Sequence, residues 1–281
     1  MMSVRVKRIL CLASVFGASS TLVAAALLAG HWPASKAAQL DRSLQEILRQ
    51  VDANVSPQKG ATESYSWTVE GFEIGTTMRE LIRSTFEASN VTCSRSKITV
   101  SFDSNGTQYK LSSNERTMTD EAGLRFFHGD YSENNSSCTI KALRKSGSLL
   151  VEASDKDGSQ GKTFSQNDFD LTSAETPTLL PALLGSKGTR SVRLLDLTKV
   201  CIKPGTIKRL DNEKVEFACK TFDCDVYEID TPPQIQRFWI AANADSSLLL
   251  KQVTIDADGT CVILLMKRRP SVTPARLSEG N

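Results

Sequence analysis

The sequence is poor in histidine, with only His31 and His128. Many zinc sites use histidine as a ligand, and serine or cysteine triads use it as a base. His128 lies beside two phenylalanines in the segment RFFHGD, a context typical of a strand end. The chain also lacks the G-x-x-x-x-G-K-[ST], G-x-G-x-x-G, H-E-x-x-H and G-x-S-x-G motifs. We therefore predict that the protein is not an enzyme and holds no metal and no cofactor.

A strong excess of charge is also lacking, because the formal net charge is +2. Three of the 34 basic residues lie in residues 1–30, which contain no acid, so the 32 acidic residues outnumber the remaining basic ones by one. Nucleic-acid-binding proteins present a basic face. This distribution argues against nucleic acid as a partner.

One long apolar segment is present near the N-terminus. Residues 9–30 carry no charge and follow Arg5, Lys7 and Arg8. A span of about 20 apolar residues crosses a bilayer, whereas the apolar region of a signal peptide has about 7–15. We predict that residues 1–35 anchor the chain in the inner membrane, with the rest in the periplasm. The alternative is a signal peptide cleaved near residue 25 or residue 37, which would release a soluble periplasmic or secreted protein.

Six cysteines lie downstream of this segment, and a seventh, Cys11, lies inside it. An even number of cysteines in an exported domain favours disulfides, although six cysteines allow 15 pairings. Cys219 and Cys224 are the first candidate pair, because a turn between two strand ends could bring them together. The alternative is a set of free buried thiols. The full set of disulfide candidates is Cys93, Cys138, Cys201, Cys219, Cys224 and Cys261.

Residues 36–63 begin with an amphipathic pattern and end in a polar linker. Apolar residues recur at helical spacing on one face, at Leu40, Leu44, Ile47, Leu48 and Val51. The pattern predicts a helix that packs on the following domain or on the membrane surface. A dimerising coiled coil is the alternative, although two heptads are short for one.

Residues 64–269 read as a series of strands separated by turns. Apolar and polar residues alternate from Tyr65 to Val69, and Glu70-Gly71 predicts a turn into a second strand. Similar runs recur through to residue 266, and the last four, between 225 and 266, are the clearest. We predict a mainly β (α+β) domain: a curved antiparallel sheet or an unclosed β-barrel. Residues 158–167 are predicted to form a mobile loop, and residues 270–281 a flexible tail.

One segment within this domain has a helical pattern. Residues 173–185 contain four leucines, with Ser173 or Thr176 as the cap and Gly185 at the end. The sequence predicts a short helix on the concave side of the sheet. Its leucines either plug the concavity or line a lid over a cavity.

Two sets of motifs resemble a known fold. Tyr65-x-Trp67-x-Val69-x-Gly71-x-x-Ile74-Gly75 is similar to the first hairpin of exported bacterial proteins related to the LolA/LolB lipoprotein carriers. Phe238-Trp239, then 248-LLLK-251 and Asp256-x-Asp258-Gly259, resemble their closing strands. The resemblance implies an unclosed β-barrel around a helix, with a concavity that holds acyl chains. The chain lacks a lipoprotein cysteine, so no lipid-contact residue carries over.

Two functions fit these observations. The first is a periplasmic protein, anchored through residues 9–30, that binds a lipid, an acyl chain or another hydrophobic ligand. Its candidate ligand-binding residues are Trp239, Leu249, Leu180 and Leu183. The second is a structural or assembly protein of the cell envelope that contacts a protein partner.

Overall fold

The structure is a computed structural model that describes residues 39–40, 42–47, 49, 61–87, 89–104, 107–134, 136–184, 188–243, 246–257 and 259–272. The predicted anchor and most of the predicted tail lie outside these residues. In the part of the chain that is described, no helix has the length and apolar character needed to span a bilayer.

The domain is mainly β, and sixteen strands are described. Their bounds are β1 (Ala61–Val69), β2 (Phe72–Phe86), β3 (Ser89–Ser104), β4 (Thr107–Asp120), β5 (Gly123–Glu133), β6 (Ser136–Lys145), β7 (Ser148–Asp155), β8 (Gly158–Ser165), β9 (Leu171–Thr172), β10 (Thr189–Asp196), β11 (Cys201–Arg209), β12 (Glu213–Phe217), β13 (Lys220–Thr231), β14 (Gln234–Asn243), β15 (Ser246–Ile255) and β16 (Cys261–Val272).

Two helices accompany the strands. The described residues between 39 and 49 are helical and are named α1 here. The second helix, α2, spans Thr176–Leu184 and lies within the segment predicted to be helical. Glu175 accepts a backbone hydrogen bond from Leu179 at the start of this helix.

All sixteen strands belong to one curved, unclosed sheet. Its order is β8-β7-β6-β5-β4-β3-β2-β1-β16-β15-β14-β13-β11-β10-β9, and β12 pairs with β13 beside this path. Neighbours are antiparallel except β9 and β10, which run parallel. Short hairpins suffice for most connections because most neighbours are consecutive in the chain. The turn at Glu70-Gly71 joins β1 to β2 as predicted, with Gly71 at a φ of 82°.

The two ends of the sheet lie close together although they do not pair. β8 ends at Ser165 and β9 begins at Leu171, so residues 166–170 alone connect the two edges. Such a linker spans at most about 20 Å. Asp170 donates a backbone hydrogen bond to Arg193 of β10, and Gln166 donates one to Gly147 beside β7. The sheet therefore curls until its edges approach one another.

The predicted loop at 158–167 is wrong, because residues 158–165 form strand β8. This strand pairs with β7 from Asp155↔Gly158 to Ser148↔Ser165. Its sequence, GSQGKTFS, has a weak β pattern because only Phe164 is buried. An edge strand gains its order from the pairing of its backbone with the neighbouring strand, which local sequence does not reveal.

The inner face of the sheet encloses the main core. Residues directly opposite one another in a sheet share a face, and the register aligns Tyr227, Phe238, Gln252, Leu264 and Trp67 across five strands. All five are almost fully buried. Inward residues of the distant strands β6 to β10 belong to the same core cluster. We call this side the inner face and the opposite side the outer face.

Helix α1 covers part of the outer face. The register forms an outward row of apolar side chains across five strands: Ile82, Cys93, Met118, Phe126 and Leu143. Leu40 and Leu44 of α1 pack on this row and are buried, and Ile47 contacts it from its margin. Of the two positions predicted for this helix, the one on the domain is therefore confirmed. Leu48 and Val51 lie outside the described residues.

Candidate functional site

Leu180 of α2 belongs to the core that the inner face encloses. It is fully buried in the main cluster, and Leu183 is half-buried against that cluster. Leu249 of β15 is opposite Ile240 and has the inward orientation of Phe238. All four predicted ligand-binding residues belong to, or pack on, the main core cluster, although Trp239 differs from the others in its orientation.

Trp239 occupies a different position. It is opposite Lys251 and Val226, on the face that also carries the charged pair Glu228 and Arg237. The Lys251 ammonium group lies 4.3 Å from the centre of the indole ring. The indole Nε1 donates a hydrogen bond of 2.8 Å to Glu213. The structure thus places Trp239 on the outer face, and Phe238 is the inward residue of the pair.

Two polar side chains interrupt the apolar inner face on β15. Gln252 and Thr254 are 1% and 0% exposed. Both amide atoms of Gln252 and the hydroxyl of Thr254 lack hydrogen-bond partners in the structure. The opposite residues are Phe238 and Leu264 for Gln252, and Gln236 and Val262 for Thr254. Sequence reasoning missed this pair, although a glutamine in the inward register of a buried strand was an available signal.

A second polar group crosses the inner face on strands β1 to β5. The register aligns Glu63, Arg79, Ser96, Glu115 and Gly129 as direct neighbours. Glu63 and Glu115 are 3% and 7% exposed. Arg79 approaches Glu63 with 3.7 Å between Nη1 and Oε2. No local motif marks this row, because its members come from five strands.

Two tyrosines donate hydrogen bonds to the carboxylates of this row. Tyr65 donates a hydrogen bond of 2.7 Å to Glu63. Tyr131 donates one of 3.1 Å to Glu115, and the Ser113 hydroxyl lies 3.4 Å from the same carboxylate oxygen. Burial, followed by the nearby carboxylates, raises the pKa of both tyrosines well above the usual value. Both phenols therefore stay protonated and keep donating.

Glu115 and Glu63 differ in their surroundings. Burial raises the pKa of Glu115 to about 8, against smaller lowering contributions from Tyr131, Ser113 and Arg79. Glu115 is therefore largely neutral at pH 7, and Arg79 lies against Glu63. The row is internally compensated, so it does not attract a charged ligand by an unbalanced charge.

The six cysteines that the structure describes are free thiols, and the disulfides predicted among them are not formed. The proposed Cys219–Cys224 pair fails for a geometric reason. Cys219 lies in the turn before β13, whereas Cys224 lies four residues beyond Lys220, the first residue of that strand. The stretch of strand from Lys220 to Cys224 alone spans about 13 Å, so Cys219 at its far end lies beyond the 4.4–6.8 Å that a disulfide requires. Cys219 is exposed and Cys224 is buried.

Metal ligands do not cluster within the described residues. No group of three or more histidine, cysteine, aspartate or glutamate side chains there could hold an ion. The chemistry that the inner face offers is therefore that of an apolar surface interrupted by neutral and internally compensated polar groups.

Comparison with known proteins supports the fold and goes no further. No protein-family model matches the chain. No curated protein has a significant match to it. A crystal structure described as a beta-barrel-like protein of domain of unknown function DUF1849 from Brucella abortus aligns with a TM-score of 0.53 and 13% identity, over 77% of this chain and 98% of that one.

A second solved structure, a DUF1089 family protein from Pseudomonas aeruginosa, aligns at 14% identity with a TM-score of 0.27, over 70% of this chain and 90% of that one. The first similarity shows a beta-barrel-like fold, and the second carries no argument. A barrel-like fold is compatible with the expected LolA/LolB-like architecture. Neither structure is described as a lipoprotein carrier, so that finer assignment stays a prediction.

Proposed function

We propose that the protein is a non-catalytic binding protein of the bacterial cell envelope that holds a lipid or another hydrophobic ligand on the inner face of its sheet. The proposal includes the anchor at residues 9–30, with the sheet in the periplasm. The observation that carries it is the unclosed sheet. Its inner face forms one apolar cluster with Leu180, and only residues 166–170 connect its two edges.

Edges that lack mutual pairing can separate without the loss of a ladder of hydrogen bonds, because no such ladder joins them. An apolar chain could enter between them and replace contacts within the cluster. Burial of apolar surface contributes about 25 cal/mol per Å², so an acyl chain gains stability from such an environment. Leu183, half-buried on α2, is the predicted cover of this site.

The test uses the full-length protein and a fatty acid with a fluorescent acyl chain. We expect the parent protein to bind the probe and Leu183→Asn to weaken binding. The same substitution at the exposed neighbour, Ala182→Asn, is the matched control; it should leave binding unchanged and lower stability only by the difference in helix propensity, about 0.7 kcal/mol or less. If Leu183 serves only as core, Leu183→Asn lowers stability by about 1–3 kcal/mol. A parent protein that binds neither this probe nor an uncharged lipid with the same acyl chain refutes the proposal.

The anchor has an independent test. Alkaline carbonate extraction of membranes should leave the full-length chain in the pellet, because an apolar span resists this treatment. A variant that lacks residues 9–30 should appear in the supernatant. Recovery of a soluble natural chain that begins near residue 25 or residue 37 would show that the segment is a cleaved signal peptide.

Assembly through protein contacts is the second candidate function. It is favoured by large apolar side chains that are exposed on and beside the first hairpin and β16: Phe72 at 75%, Met78 at 56% and Leu265 at 38%. Exposed apolar side chains of this size are common at protein interfaces when they form a patch. Replacement of Met78 and Leu265 by serine should abolish capture of an envelope protein if this function holds, and should leave probe binding unchanged.

A further inference from the structure

Gln252 and Thr254 are two residues apart on β15, so both point to the inner face. The Gln252 amide could form hydrogen bonds through its nitrogen and its oxygen, yet both are buried without a partner. The Thr254 hydroxyl is also buried without a hydrogen-bond partner. Three unpartnered polar atoms are thus concentrated on one short stretch of β15, and the residues opposite Gln252 and Thr254 on the neighbouring strands are apolar except for Gln236.

Buried polar groups without partners lower the stability of a protein, because they lose hydrogen bonds to water on folding. Leucine and valine would fill the same volumes without this loss. Polar groups that reduce stability are a feature of sites where a ligand provides the missing partners. Gln252 and Thr254 have this character, and they lie on the face to which the ligand is assigned.

We propose that Gln252 and Thr254 form the polar end of the ligand site and bind a neutral hydrogen-bonding group of an amphipathic molecule, such as an ester carbonyl with a neighbouring hydroxyl. This inference rests on the proposed function and specifies its ligand class. The glutamine amide donates to a carbonyl oxygen and accepts from a hydroxyl, and the threonine hydroxyl can do either.

The immediate surroundings of the pair select against a charged group. The residues opposite Gln252 and Thr254 are Phe238, Leu264, Val262 and Gln236, and none of them is charged. A carboxylate placed there would lose its hydration without a cation to replace it. Arg79 lies on another part of the sheet, where it already approaches Glu63. An acylglycerol therefore suits the site better than a free fatty acid.

The amide of Gln252 is enclosed by packed side chains, so a ligand must displace some of them to reach it. An apolar replacement at this position should strengthen the packed arrangement and weaken ligand binding at the same time. This opposition between stability and binding distinguishes a binding role from a purely structural one. A structural role would change stability alone.

The experiment compares two fluorescent probes with the same acyl chain, a monoacylglycerol and a free fatty acid, on the full-length protein in one maltoside detergent. We expect the parent protein to bind the monoacylglycerol more tightly. Gln252→Leu should raise the thermal midpoint and weaken monoacylglycerol binding by roughly 5- to 10-fold, the value of one or two neutral hydrogen bonds. Fatty-acid binding should change by less than about 2-fold by the same reasoning.

Thr254→Val should act in the same direction, which keeps the test valid if Gln252→Leu fails to fold. Gln108→Leu makes the same chemical change at an exposed site on β4 and should affect neither probe. If Gln252→Leu and Thr254→Val raise stability without any effect on monoacylglycerol binding, the inference is overturned while the proposed function stands. If both probes weaken equally, the neutral ligand class is overturned. If the parent protein binds neither probe, the proposed function itself fails.

Discussion

The hydroxyl of Tyr131 donates a 3.1 Å hydrogen bond to the carboxylate of Glu115, and both side chains are buried on the inner face. Their strands are neighbours, and the residue directly opposite Glu115 is Gly129. A Cβ atom at Gly129 would lie 2.8 Å from the Tyr131 ring and hydroxyl, so the ring occupies the space that a side chain would fill. The absence of a side chain at Gly129 thus lets Tyr131 reach Glu115.

The raised pKa of Glu115 predicts a specific dependence of stability on pH. The pKa is about 8 in the folded protein, against 4.5 for an ordinary glutamate, so the folded state holds an extra proton between these values. The contribution of Glu115 to stability is therefore fully present below about pH 4.5, falls as the pH rises, and is lost above about pH 8.

Glu115→Gln should remove this dependence while keeping an acceptor for Tyr131. Relative to the parent, the variant should gain stability as the pH rises from 5 to 9, by on the order of 4 kcal/mol at most. Urea unfolding at each pH measures the difference. Glu121→Gln makes the same change in the exposed β4–β5 turn. The stability of this control should vary with pH in parallel with that of the parent protein. Parallel curves for Glu115→Gln would mean that Glu115 is ionised in the folded protein.

The packing of α1 on the outer face gives the second prediction. Leu44 is 1% exposed on the apolar row of β2 to β6. Leu44→Ala should reduce the free energy of unfolding by about 2–4 kcal/mol, because it leaves a cavity in this contact. Gln45→Ala, one residue further on the exposed side of the helix, is the control and should have little effect. An equally small effect at both positions would show that α1 is not held on the sheet in solution.

How much of this architecture is predictable from sequence depends on the range of the interactions. The first hairpin was predictable because Tyr65 and Trp67 alternate with polar residues before the Glu70-Gly71 turn. Helix α2 was predictable from its run of leucines between a cap and Gly185. In both cases the determinants lie within about ten residues of one another.

The polar groups of the inner face were not predictable in this way. Glu63 and Glu115 come to lie in the same row only through the register of β1 to β4, which aligns residues about fifty positions apart in the chain. The choice between Phe238 and Trp239 as the inward residue depends on a shift of a single residue, because alternate residues of a strand point to opposite faces. A register shift between Trp239 and Ile240 further obscures the pattern on β15.

The thiols give the third prediction, which concerns reactivity in the native protein. Cys219 is exposed in the β12–β13 turn, whereas burial raises the pKa values of Cys138 and Cys224 to about 11. The thiolate attacks an electrophilic thiol reagent, so at pH 7.5 Cys219 should react first and Cys138 and Cys224 only slowly. Peptide mass spectrometry after timed labelling identifies the sites. A Cys219 that reacts only after reduction would indicate a disulfide.

The last prediction concerns Gly75, which lies between Trp67 and Val100 on the inner face. A Cβ atom at this position would lie 2.4 Å from the Thr99 carbonyl oxygen and 2.8 Å from the Val100 Cα atom. Both are backbone atoms, so the contact cannot be relieved by rotation of a side chain. Gly75→Ala must therefore push β2 away from β3. The hydrogen bonds that pair these two strands oppose this displacement.

We expect Gly75→Ala to cost about 1–3 kcal/mol, the usual range for an overpacked core, or more if the ladder breaks. Gly188→Ala is the matched control. Its Cβ atom would meet nothing within 4 Å, and Gly188 is exposed. That substitution should be neutral or slightly stabilising, because alanine restricts the unfolded chain more than glycine does. Equal thermal midpoints for the two variants would show that β2 and β3 are further apart at Gly75 than the structure places them, and that the wall beside Trp67 has room for a methyl group.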